Sequence, residues 1–168
     1  MKLASFEALV EALNQAGVRY LVAGGLAVNA HGYLRFTKDV DIVLRLSRED
    51  ILAAFQALAK VGYQPKVPIT AEQFADAQLR ESWIRDKGMI VLNFWSDLHR
   101  ETPVDIFVRE PFDFETEYRR AWRSGLPGDP SAPFLAIPAL IALKRAAGRP
   151  QDLIDIDKLS QIAKLQSE

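Results

Sequence analysis

Two aspartates, Asp39 and Asp41, stand two residues apart in the run "DVDIVL", and a third, Asp105, stands in "PVDIFV". Side chains of an extended chain alternate between faces, so Asp39 and Asp41 emerge together while Val40, Ile42 and Leu44 turn to the opposite, apolar side. Asp105 has the same setting, opposite Val104, Ile106 and Val108. Pairing of the two strands brings three carboxylates onto one face. Anions gathered in this way repel one another and take up protons unless cations compensate them. Hard oxygen donors suit Mg²⁺, which keeps part of its water and bridges readily to substrate phosphates. An isolated Asp-x-Asp is common on a strand's solvent face; the combination with the second aspartate strand and with an upstream glycine pair is what carries the chemical reading.

That pair, Gly24-Gly25, follows the short apolar run "RYLVA". Glycines that close a strand and open a helix let a ligand approach the backbone, and the first helical N–H groups then face a phosphate. Strand-to-helix turns also use glycine for purely steric reasons.

The elements that must position these groups follow from periodicity. Phe6, Leu9, Val10 and Leu13 repeat at helical spacing, with Ser5 as the expected N-cap and Gly17 as the stop. "LAVNAHG" reads as a short helix ending near Gly32, and "DVDIVLRL" as a strand. Ser47 caps a helix running to about Lys60, and "TAEQ" carries a capping box ahead of another helical segment. Short strands are expected near "YQPKV", "MIVLNFW" and "PVDIFV". Two consecutive helices close the chain, the first beginning at Pro138, with Gly148 and Pro150 marking the break. This order predicts an α/β (α+β) class, a mixed sheet flanked by helices. It also predicts one domain over 1–168, with a core of about 1–110 and a C-terminal helical part of about 111–168.

Composition narrows the chemistry. The 168 residues are 49% hydrophobic, enough for a core, and carry a formal net charge of −1, so no global field attracts nucleic acid or an acidic membrane. With no cysteine there is neither disulfide nor thiol nucleophile, and the two histidines, His31 and His99, lack ligand-spaced partners for zinc. His31 reads as helix-terminal and His99 as a loop residue. No apolar run reaches membrane-spanning length, and the amphipathic start is unlike a signal peptide, so a cytoplasmic location is expected.

Taken in order, Gly24-Gly25, Asp39-Val40-Asp41 and Asp105 resemble the nucleotidyltransferase superfamily related to DNA polymerase beta. More locally, "GGLAVNAHGYLRFTKDVDIVL" with "LKRAAGRPQDLIDIDKL" resembles the small bacterial branch that includes AbiEii-type toxins. The resemblance implies a nucleotidyltransferase fold and transfer of a nucleoside monophosphate from an NTP to a hydroxyl, with release of pyrophosphate. It implies two Mg²⁺ ions, with Mn²⁺ as the substitute, held by Asp39, Asp41 and Asp105, the last also helping to activate the hydroxyl. Gly24, Gly25, Arg35, Lys144 and Arg149 would contact the nucleotide phosphates. Many members carry serine at the second glycine position, where Gly25 offers only its backbone N–H.

Several groups have plain structural readings. Thr37 is expected to pin its loop, Lys144 and Arg149 to oppose a helix dipole, and Asp152 and Asp155 to serve capping and dipole roles, with packing against Arg149. Trp83, Phe94, Trp95, Phe107, Phe112 and Phe114 read mostly as core, one of them available to stack on a base. Arg119, Arg120 and Arg123 are the best local candidates for an RNA contact. The acceptor is left open among tRNA or other RNA, a protein and a small molecule, with a cognate protein partner of toxin–antitoxin type as a further expectation. The alternative is a binding or regulatory module that keeps the fold without turnover.

Overall fold

The apolar faces read from the sequence close into one seven-stranded mixed sheet in a computed structural model that describes residues 1–124 and 131–167. In chain order the elements are α1 (Leu3–Gln15), β1 (Tyr20–Val22), α2 (Gly24–Ala30), β2 (Val40–Leu44), α3 (Arg48–Lys60), β3 (Gln64–Pro65), α4 (Ala71–Ala75), α5 (Ala77–Lys87), β4 (Val91–Trp95), β5 (Val104–Phe107), α6 (Phe114–Arg120), β6 (Trp122–Ser124), β7 (Ala132–Phe134), α7 (Ile137–Ala147) and α8 (Pro150–Leu165). The strands lie in the order β3-β4-β5-β2-β1-β7-β6. β2 runs parallel to β5 and antiparallel to β1, and β4 runs antiparallel to β5.

The expected alternation holds in β2 and β5. Val40, Ile42 and Leu44, with Val104 and Ile106, are at most 1% exposed, whereas Asp41 and Asp105 are only partly covered. Their face of the sheet looks toward α7, because both aspartates share a cleft with Leu140 and Leu143. Local signals fix several helix starts. Ser47 accepts from the Asp50 amide at 3.1 Å, and Thr70 and Gln73 form the reciprocal capping box at 2.9 and 3.1 Å. The segment after "TAEQ" breaks at Asp76 into α4 and α5, since Asp76 caps a new helix by accepting from the amides of Gln78 and Leu79.

Some boundaries differ from the sequence reading. α1 begins at Leu3 with Lys2 as its N-cap, and Ser5 lies buried inside the helix, its hydroxyl 2.9 Å from His99 Nδ1; tertiary packing has displaced the expected cap. α2 starts two residues early, at Gly24. Pro138 takes the second position of α7 and Pro150 the first of α8. β6 and β7 were not expected. They are short strands in a polar and aromatic stretch with no alternation to reveal them, and they extend the sheet beyond β1.

α8 is fastened to the loop before β2 by buried charge. Arg35 donates from Nε and Nη2 to the two Asp155 oxygens at 2.8 and 2.7 Å. Lys144 reaches Asp155 at 2.6 Å and Asp152 at 3.0 Å. Asp152 also receives Arg149 Nε at 2.8 Å and its backbone N–H at 3.1 Å, which fixes the turn from α7 to α8. Lys144, Asp152 and Asp155 are 4%, 1% and 0% exposed. Burial pushes the Asp155 carboxyl up, but hydrogen bonds from Arg35, Lys144 and Gln151 outweigh it and hold the group below the usual carboxylate range. Removing one member of such a network leaves charge buried without a partner, so Asp155→Ala should cost about 3–5 kcal/mol. Urea unfolding of the two proteins checks this; a loss within 1 kcal/mol, roughly that of a surface pair, would show that the network adds little.

Candidate active site

β1 ends at Val22, and the Ala23 amide donates to the Asp41 carbonyl at 2.9 Å, which ties the entry of α2 to the middle of β2. Gly24 follows with φ of 62°, and a Cβ there would overlap the Asp41 carboxylate. Only a residue without a side chain lets Asp41 lie against this turn. At Gly25 a Cβ would come within 2.7 Å of Thr37 Oγ1 and 2.9 Å of an Arg35 guanidinium nitrogen. The pair of glycines thus admits the side chains of the β2 strand and of the loop leading to it.

Register does the rest. Asp41 lies directly across from Asp105 in the parallel β2–β5 ladder, and Asn93 of β4 lies across from Asp105 on its other side. The Asn93 amide donates to Asp105 Oδ1 at 2.6 Å. Asn93 was not singled out from the sequence: a lone amide in "VLNFW" acquires meaning only from the register that places it beside Asp105.

Burial first, then the charges of Asp105 and Asp39, push the Asp41 carboxyl up to about 6, while Lys144 and Arg149 pull it down. The Asp105 carboxyl is also raised by burial, and the Asn93 hydrogen bond works against that rise. No hydrogen-bond donor among the described residues reaches the Asp41 carboxylate. Asp39 precedes the first paired residue of β2 and lies outside the lining of the Asp41–Asp105 cleft. Among the described residues no three histidine, cysteine or acidic side chains converge closely enough to cage a metal ion. The pairing expected of the two strands is present, and it joins two carboxylates in one cleft with the third beside it.

The cleft has a volume of about 370 Å³ and gathers Gly24, Asp41, Asp105, Lys144, Arg149 and Asp152 against an apolar wall that includes Val91 and Phe107. Lys144 and Arg35 are already paired with Asp152 and Asp155, and Arg35 is not part of the lining. Arg149 is different: its side chain is 74% exposed although its Nε holds Asp152. Asp152, expected to cap, to oppose the helix dipole and to pack against Arg149, meets Arg149 as expected and also sits in the cleft, with its carboxyl at about 2; burial raises it, and bonds from Arg149 and Lys144 overcome that.

Other singled-out residues fall elsewhere. His31 is the C-cap of α2 and donates from Nε2 to the Leu135 carbonyl at 2.8 Å. His99 stacks on Tyr63 at 5.3 Å between centroids. Phe94 and Phe114 are buried, Phe112, Trp83 and Trp95 are partly covered, and Phe107 alone of the six aromatics lines the cleft. Arg119 and Arg120 end α6, and Arg123, on the edge strand β6, lies over the Tyr118 ring at 5.0 Å; none of the three lines the cleft. Among the described residues no helix is long and apolar enough to cross a membrane.

No protein-family profile matches the sequence, and no characterised protein matches it by sequence comparison. The structure is similar to the crystal structure of the lincosamide antibiotic adenylyltransferase LnuA bound to lincomycin, with a TM-score of 0.63 and 15% identity over 96% of this chain and 98% of that one. The mixed sheet with its flanking helices is therefore a nucleotidyltransferase fold, as the motif resemblance implied.

Two outcomes follow from this geometry. Gly24→Ala forces a side chain into a left-handed backbone and onto Asp41, and should destabilise the protein by more than about 1 kcal/mol in urea unfolding; an unchanged midpoint would mean that the close approach is not needed. Asp41, raised from 3.8 to about 6, favours the folded state fully below 3.8, and that contribution is lost as pH rises through about 6. In metal-free buffer, Asp41→Asn should therefore gain stability relative to the native protein between pH 4 and pH 7, by on the order of 2 kcal/mol. A difference constant with pH would show that Asp41 titrates normally.

Proposed function

We propose that the chain transfers a nucleoside monophosphate from an NTP to a hydroxyl group and releases pyrophosphate. The observation that carries this reading is the Asp41–Asp105 pair, two proton-avid carboxylates side by side across β2 and β5, in a cleft that Arg149 enters. The shared fold with an adenylyltransferase supports it.

The carboxylates fit a magnesium ion. Asp41 has burial and like charge around it and, among the described residues, no donor to satisfy it, which is the environment that a cation relieves. Mg²⁺ is usually held by one or two carboxylates together with substrate phosphates and waters, so a site without a three-ligand cage suits an ion that arrives with the nucleotide. Asp41 and Asp105 would hold it, with Asp39 near enough for its charge to act on both and to serve a second ion. When bound, such ions lower the pKa of the attacking hydroxyl and stabilise the leaving pyrophosphate.

The chain's own groups have separate tasks. Asp105, oriented by Asn93, takes the proton of the attacking hydroxyl as its oxygen bonds to the α-phosphorus. The bond from the α-phosphorus to the bridging oxygen breaks, and pyrophosphate leaves with the electron pair. Arg149 swings from Asp152 toward the departing phosphates, a bidentate contact suited to guanidinium. Gly24 and Gly25 bring backbone N–H groups to the same phosphates. Lys144 supplies positive charge from within the wall, and Arg35 positions the loop that delivers Asp39 and Asp41.

Thermal unfolding with each NTP, with and without Mg²⁺, tests the donor site in the native protein and in Asp41→Asn. Saturation at a hundred times the dissociation constant adds about 2.7 kcal/mol of stability. A shift that needs both Mg²⁺ and an NTP, and that disappears in Asp41→Asn, is the expected result. No shift with any NTP at millimolar concentration would overturn the transferase reading in favour of a binding module on the same fold.

A further inference from the structure

The carboxylate cleft continues into a second hollow of about 310 Å³ whose lining contains none of the groups given a role in the proposed transfer. The two share Ile90, Phe107, Leu143 and Ala147, and the second adds Met89 and Ala146 among others. Gly24, Asp41, Lys144 and Arg149 are absent from its lining. Arg109, the one charged residue of its lining among the described residues, is held by Glu81 at 2.9 Å. Ile90, between α5 and β4, is 71% exposed and lies where the two hollows meet.

Position gives this annex its meaning. Across the sheet the order is Gly24 after β1, then Asp41 on β2, Asp105 on β5 and Val91 and Asn93 on β4. Phe107 lies two residues beyond Asp105 on the same face of β5, and Val91 is its partner on β4. In an in-line displacement the nucleophile enters opposite the leaving group. With pyrophosphate at the Gly24–Arg149 end, the nucleophile approaches from the Asp105 side, where the annex opens.

We infer that the annex binds the apolar body of a neutral, amphipathic small-molecule acceptor and presents its hydroxyl to Asp105. This assignment rests on the transferase reading above. A polyanionic acceptor is disfavoured by the same lining, because nucleic acid needs cations along its path and the annex offers one arginine, already paired. The bonds made and broken are those of the proposed transfer, the acceptor oxygen replacing pyrophosphate on the α-phosphorus.

The test uses n-hexyl, n-heptyl and n-octyl β-D-glucoside, each below its micelle-forming concentration, titrated by calorimetry onto the full chain with and without Mg²⁺ and ATP. Saturable binding is expected, tightening about fourfold per methylene as apolar surface is covered, and persisting with Mg²⁺ and ATP present. Ala146→Gln and Ala146→Glu, at an exposed position outside the lining of the carboxylate cleft, should each weaken it at least tenfold while keeping the thermal shift given by Mg²⁺ and ATP. Displacement of the glucoside by Mg²⁺ and ATP would assign the annex to the nucleobase and overturn the proposal. Absence of saturable binding, with the nucleotide shift intact, overturns the annex alone. Glucoside binding with no nucleotide shift overturns the acceptor role together with the transferase reading.

Discussion

Two like charges face each other across neighbouring strands, and much of the structure around them is arranged to permit it. The parallel register of β2 on β5 sets Asp41 opposite Asp105 in a half-covered sheet face, where burial and repulsion both favour the protonated carboxyl. A protein that maintains such a pair for stability alone has no evident gain from it; the cation of the proposed function would supply one. Gly24 makes room for one carboxylate and Asn93 orients the other. Each accommodation is specific in space and useless without the pair.

The second layer of support is the ion network that joins α7, α8 and the loop before β2. Three cations, Arg35, Lys144 and Arg149, meet two anions, Asp152 and Asp155, so the network as a whole leaves positive charge toward the cleft. Lys144 and Arg149 act on Asp41 through that field. The same contacts hold Arg35 over Gly25 and so fix the route of the chain into β2. Buried ionic groups are an inefficient source of stability compared with apolar packing. Their value here is placement, since a shift of the loop by an ångström would move both members of the Asp-x-Asp pair.

The chain shares its fold with LnuA, and a shared fold leaves open what is bound, which depends on what surrounds the sheet. Here the hollow that continues the cleft past Phe107 is lined mostly by apolar residues, and Arg119, Arg120 and Arg123 lie elsewhere, on α6 and β6. The cleft is thus polar at the Gly24 end and apolar beyond Asp105. The proposed transfer, between a charged donor and a less polar acceptor, would draw on that gradient.

Strand period by itself set Asp41 opposite Val40, Ile42 and Leu44, and Asp105 opposite Val104 and Ile106, and capping chemistry by itself determined the starts of α3 and α4, because both depend on neighbours within a few residues. The mixed α/β class followed from the order of those periodic segments. Tertiary structure alone decided that Asp41 meets Asp105 while Asp39 stays outside the cleft lining, because strand register is a long-range property. It alone moved Ser5 from an expected cap to a buried partner of His99, 94 residues away, and added β6 and β7, which carry no local signal. It also turned Asp155 from an expected dipole partner into the anchor of Arg35, 120 residues distant, since the energy of a buried charge depends on what the fold brings to it.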